Sequence, residues 1–223
     1  MDRAIGVNQF LSTKYKVMDF DGVWLEAFGK PEIFGSWMIW GASGSGKTRF
    51  ALMLCKYLTK FGKVAYNSLE EGNCRSLQQA FIDVGMEEVE RKMILLDREP
   101  IRELNERLKK QKSPDIVFID SFQYTQLKYN DYIKLIKTHP KKLFIFISHA
   151  DGKEPSGRSA KSVRYDCMCK IRVEGYRAMV VSRYGGGKPF DIWPEGAAKY
   201  WGGEALTEDE DKGDDEDEDE TEY

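Results

Sequence analysis

Gly41-Ala42-Ser43-Gly44-Ser45-Gly46-Lys47-Thr48 is the stretch on which the reading of this chain turns. It fits G-x-x-x-x-G-K-[ST] at every specified position. The spacing has a physical reason. Glycines let the backbone curl so that successive N–H groups face one anion. Those groups open a helix, whose dipole also favours negative charge. In such a cradle the Lys47 amine reaches terminal phosphates and the Thr48 hydroxyl ligates Mg²⁺. Gly41, Ala42, Ser43, Gly44, Ser45, Gly46, Lys47 and Thr48 are therefore the expected phosphate-binding residues.

The flanks supply the context this loop needs. Residues 36–40 (Ser-Trp-Met-Ile-Trp) read as a buried strand leading into it. Residues 47–61 read as a helix, with Phe50, Leu54 and Leu58 at spacing four. Further out, short apolar runs at 64–68, 93–96, 115–120 and 143–148 read as strands. Between them, 76–84, 101–112 and 127–138 read as helices. The runs at 115–120 and 143–148 are apolar on both faces, as central parallel strands are. Strands alternating with helices predict an α/β architecture, a mainly parallel sheet flanked by helices. After residue 149 the rhythm changes. Residues 167–173 and 176–182 read as a hairpin around Glu174-Gly175, with 188–193 as a further strand, giving a C-terminal β-hairpin extension. Cys167 and Cys169 alternate with Ile171 and Val173, which predicts one apolar face. Residues 1–35 read as a loop-rich lead-in, 36–206 as the α/β domain and 207–223 as a tail.

Other residues join the loop by their places at strand ends. Asp120 closes an apolar strand, where it can hold Mg²⁺ with Thr48 or simply cap a turn. Glu70 follows the strand at 64–68, well placed to orient and deprotonate an attacking water. Glu71 competes for that role, and both could merely begin a helix. His149 follows the strand at 143–148, either as a polar sensor of the terminal phosphate or as a hydrogen-bonded structural residue. Residues 150–165 hold Lys153, Arg158, Lys161 and Arg164 without an apolar period, so they read as a mobile loop suited to a phosphate backbone, or as a solvated one. Arg183, assisted by Lys188, leaves a strand into Gly185-Gly186-Gly187. It reads as an arginine finger for a neighbouring subunit or as an ordinary turn residue.

Charge sharpens the choice of partner. Net charge is -3 over 223 residues. Residues 207–223 contain twelve Asp or Glu and one Lys, a net of -11, so the remainder carries +8. A block of like charge cannot pack and is expected to stay disordered. Its role is solubilisation, or competition with nucleic acid for the basic body. Four cysteines without metal spacing point to free thiols in a reducing cytoplasm. The N-terminus lacks a signal-peptide pattern, and no apolar run reaches the roughly 20 residues of a membrane span.

Together, the loop at 41–48, Asp120-Ser121, residues 68–71 (Ser-Leu-Glu-Glu), Ser148-His149 and Ser182-Arg183-Tyr184-Gly185 resemble the RecA-like ATPases, particularly the RadA and DnaB-type helicase branch. The resemblance covers residues 36–193, and a core of this size is similar to phage-encoded RecA-core recombination and annealing proteins. It implies a RecA-like P-loop NTPase fold, ATP and Mg²⁺ as cofactors, and Glu70 as the catalytic base beside Lys47 and His149. It also implies a second DNA-binding loop within 150–165, single-stranded DNA as partner, and a ring or filament of identical subunits in which Arg183 reaches an adjacent ATP. One departure is Val181 where that family carries Lys, so only Arg183 of its paired motif is present. The expected function is an ATPase acting on single-stranded DNA in recombination, repair or replication. The alternative is an ATP-gated assembly or loader module with slow hydrolysis.

Overall fold

The computed structural model describes residues 4–204. The predicted tail at 207–223 lies outside them. Among the described residues, nine strands form one sheet: β1 (Gly35–Gly41), β2 (Val64–Ser68), β3 (Met93–Asp97), β4 (Ile116–Asp120), β5 (Leu143–Asp151), β6 (Glu154–Pro155), β7 (Cys169–Glu174), β8 (Arg177–Ser182) and β9 (Phe190–Asp191). Their order is β3-β2-β4-β5-β1-β7-β8-β9, with β6 paired to β5. Along that order every pairing from β3 to β7 is parallel, β7-β8-β9 continue antiparallel, and β6 lies antiparallel to β5. The α/β expectation and the hairpin extension both hold.

The period of two along the central strands builds two cores. Trp37, Ile39, Tyr66, Phe118, Ile145 and Ile171 face one cluster. It is closed by α2 (Gly22–Phe28), α3 (Lys47–Leu58) and α4 (Arg75–Val84). Met38, Trp40, Ala65, Ile119, Phe144 and Phe146 face the other, under α5 (Ile101–Lys109), α6 (Tyr129–Thr138) and α7 (Arg158–Asp166). Sheet residues such as Phe118 and Phe146 are 0% exposed, which is why these strands lack the polar alternation of a one-sided sheet.

Three local readings change, and one helix is added. The lead-in carries helices α1 (Val7–Leu11) and α2. Phe20, Ala27 and Phe28 are buried, and Trp24 packs on Tyr57 and Phe190 with ring centroids 4.9 and 4.5 Å apart. This segment therefore completes the first core. The predicted loop at 150–165 is instead the end of β5, a tight turn into β6, and helix α7. Ala160, Val163 and Cys167 sit at spacings of three and four on its buried side, an apolar stripe disguised by small residues. That stripe also corrects Cys167, which packs in the second core while Cys169, Ile171 and Val173 pack in the first. Finally, α8 (Pro194–Glu204) follows β9, opened by a proline at its first position.

Candidate active site

The cradle residues lie between the C-terminal end of β1 and α3. Gly44 and Gly46 take φ of 74° and 98°, a region closed to most side chains. Gly41 is needed for a different reason: a Cβ there would meet the Val173 carbonyl oxygen at 2.1 Å. The loop therefore passes hard against β7, which fixes its height above the sheet. Among the described residues, no side chain caps α3, and its first turn holds no acidic residue. Among the described residues, the amides of Lys47, Thr48 and Arg49 find no backbone acceptor. These are free donors at a helix N-terminus, an anion site by construction. The Lys47 amine donates to the Ala42 carbonyl at 2.7 Å. Partial burial lowers its pKa, and the carboxylates of Asp120 and Glu70 oppose that shift.

Parallel register brings the other candidates to the same sheet edge. Gly41 lies beside His149, and Asp120 lies beside both Ser68 and Ile147. The chain leaving β2 folds back over β4, so that the amides of Leu69 and Glu70 both donate to the Asp120 carbonyl, at 2.6 and 3.1 Å. That anchor sets the start of the Glu70 side chain. Its Oε2 lies 2.8 Å from Nε2 of His149, joining residues read separately from the sequence. Glu71 points elsewhere: its carboxylate accepts from the Ser76 hydroxyl at 2.8 Å, at the start of α4.

Asp120 is the strained member. Burial pushes its carboxyl up to about 6 from an ordinary 3.8. A hydrogen bond from the Tyr66 hydroxyl opposes this, the charges of Glu70 and Glu71 add to it, and Lys47 opposes it more weakly. A carboxylate held in a site that disfavours its charge is primed for a cation. Its carboxylate and the Thr48 hydroxyl are the hard oxygen donors that could hold Mg²⁺ alongside phosphates.

A cleft of about 230 Å³ runs along the other flank of the loop, lined by its backbone and by Arg172, Glu174, Tyr176 and Tyr200. Sequence reasoning did not single out Tyr176 or Tyr200. The only available signal was the Glu174-Gly175 turn, which places Tyr176 at φ 60° over Gly46.

The remaining candidates lie apart from the cradle. Arg183 follows the far end of β8, where its amide donates to the Met168 carbonyl at 3.1 Å. Ser182 pairs with Cys169, and Cys169 with Trp37; Arg183 lies one residue beyond, so it sits about 16 Å down the sheet from Gly41. It is exposed there and away from its own cradle. Lys188 pairs with Glu26 at 3.0 Å. Lys153 and Arg158 are exposed. Lys161 lies 3.9 Å from Asp151. Arg164 is committed to the fold: it pairs with Glu154 at 2.8 Å, its guanidinium lies over Trp40, and its side chain is 17% exposed.

No protein-family model matches the chain, and no curated protein matches its sequence. Solved structures do match. The flagellar accessory protein FlaH from Methanocaldococcus jannaschii superposes with a TM-score of 0.57 at 14% identity, over 79% of this chain and 94% of that one. At such identity the likeness speaks for the backbone alone. Among the described residues, no helix is long and apolar enough to cross a membrane. Sheet order, cradle position and structural neighbour agree that this chain has a RecA-like α/β fold with an antiparallel C-terminal extension.

Proposed function

We propose that this chain is a Mg²⁺-dependent ATPase of the RecA-like group that acts on single-stranded DNA, in recombination, repair or replication. The observation that carries the reading is the Glu70–His149 contact of 2.8 Å at the strand edge that also holds Asp120 and the cradle. In this reading the cradle amides and Lys47 hold the triphosphate, while Thr48 and Asp120 hold Mg²⁺. The ion, when bound, would neutralise charge on the terminal phosphates. Glu70 accepts the proton of the attacking water, and His149 fixes which way that carboxylate turns. Tyr176 and Tyr200 give the cleft an aromatic lining suited to the base. Lys153, Arg158 and Lys161 present charge to a phosphate backbone at the same edge, and the +8 body favours that partner. Arg183, too far from its own site, acts on a neighbouring subunit in a ring or filament.

The partial neutralisation of the basic element, through Arg164–Glu154 and Lys161–Asp151, favours a second reading: an ATP-gated assembly module with slow hydrolysis. One experiment separates the two: ATP hydrolysis by the full chain, with and without a single-stranded oligonucleotide. Lys47→Ala should abolish nucleotide retention. Glu70→Gln should keep it and slow hydrolysis about 10²- to 10⁴-fold. Equal rates with and without DNA, together with no oligonucleotide binding at low salt, would refute the DNA-dependent reading.

A further inference from the structure

We propose that Gln123 is a positioning residue that couples the basic β6–α7 element to the Glu70–His149 pair. The inference rests on the functional reading above and adds its regulation. Gln123 stands in the one-turn helix after β4 (Phe122–Thr125) and touches neither the cradle nor its carboxylates in any hydrogen bond. Its side-chain amide is engaged at both ends. The nitrogen donates to the Ser148 hydroxyl at 2.8 Å and to the Ser156 carbonyl at 2.9 Å. The oxygen accepts from the His149 amide at 3.3 Å. An amide N–H and a carbonyl as partners fix which end is nitrogen.

Each partner sits at a different point of the path. Ser148 is fully buried, and its hydroxyl donates to the His149 carbonyl at 2.9 Å. That carbonyl also accepts from the Ser156 amide at 2.8 Å. The backbone of His149 is thus held from three sides by Gln123, Ser148 and Ser156, while its ring holds Glu70. Ser156 immediately precedes Gly157, the N-cap of α7, and Arg158, its first residue. The turn between β5 and β6 itself carries Lys153, three residues before Ser156. An anionic polymer that pulls on Lys153, Arg158 and Lys161 therefore pulls on Ser156. Gln123 converts that displacement into a shift of His149 and of the carboxylate it holds. A misplacement of about 1 Å at a general base is enough to change rate by about 10²-fold.

The test uses the full-length protein and a single-stranded thymidine oligonucleotide. ATPase rates with and without it are measured for wild type, Gln123→Ala and Gln123→Glu, with oligonucleotide binding followed by fluorescence anisotropy. Gln123→Glu keeps an acceptor for the His149 amide but sets a carboxylate against the Ser156 carbonyl. The deciding readout is the ratio of stimulated to basal rate, which partial unfolding leaves unchanged because it removes active molecules from both measurements. Wild type should show stimulation of at least about fivefold, and both variants a ratio near one with binding retained. If wild type is stimulated and the variants keep its ratio, the coupling role is wrong and the ATPase reading stands. If the variants lose oligonucleotide binding, Gln123 builds the docking element and the relay is again wrong. If wild type shows no stimulation, the DNA-dependent reading fails and this proposal falls with it.

Discussion

Asp120→Asn should make the nucleotide-free protein more stable at neutral pH. Burial raises the Asp120 carboxyl from 3.8 to about 6, so the folded chain binds that proton more tightly than the unfolded one does. Stability from this group is then fully present below pH 3.8 and is lost as pH rises through about 6. Two pKa units and a little more correspond to about 3 kcal/mol of penalty for the charged form. Asparagine removes the charge and keeps an oxygen to accept from the Tyr66 hydroxyl. With a urea slope of about 2 kcal/mol per M, the unfolding midpoint should rise by up to about 1.5 M near pH 7.5. Near pH 4 most of the gain should vanish, because folded Asp120 is then neutral and the unfolded carboxyl, near its ordinary 3.8, is already about 40% protonated. The assay is urea denaturation followed by circular dichroism, with chelator present so that no metal intervenes. A variant less stable than wild type at neutral pH, or a gain that does not shrink in acid, would refute the reasoning. With Mg²⁺ and ATP added, wild type should recover the difference and the variant should not, since a cation relieves the same penalty.

Gly41→Ala should lose about 1–3 kcal/mol in the same denaturation assay, because its Cβ would lie 2.1 Å from the Val173 carbonyl and neither strand can retreat without breaking the β1–β7 ladder. Arg158→Ala should weaken oligonucleotide binding and lower the slope of log affinity against log salt by about one. Arg164→Ala should leave that slope unchanged and lower the melting temperature instead, as its charge is already paired with Glu154. Removing residues 207–223, twelve acidic residues against one Lys, should tighten oligonucleotide binding and raise the salt concentration that releases it; unchanged binding would leave the tail a solubilising role only.

The parallel part of the sheet was legible because its strands are apolar on both faces and short, a pattern only a doubly covered sheet uses. Where packing rests on small or isolated residues, the pattern fades. Helix α7 buries Ala160 and Val163, and neither stands out against Lys153, Arg158, Lys161 and Arg164. Those cations dominated the reading and suggested a loop. In α8, Gly196 and Gly202 weakened the helical pattern, although Pro194 marked its start. Helix α2 was missed because seven residues give too few turns to show a period, and its burial comes from aromatic contacts with Tyr57 and Phe190 far along the chain.

The site divides along the same line between local and distant causes. The cradle is one continuous segment whose conformation is dictated by its own glycines, so it could be read residue by residue. The Glu70–His149 contact joins residues 79 apart, and it exists only because the β2–β4 and β4–β5 registers bring both strand ends to the level of Asp120. A shift of one residue in either register would turn one of those strands' side chains to the opposite face and exchange the two cores. The apolar pattern that builds the cores therefore also aims the Glu70 carboxylate: Phe118 and Ile119, one in each core, leave β4 only one way to sit. Single residues could be nominated from strand-end position, but their pairing, and the penalty on Asp120 beside it, follow from packing.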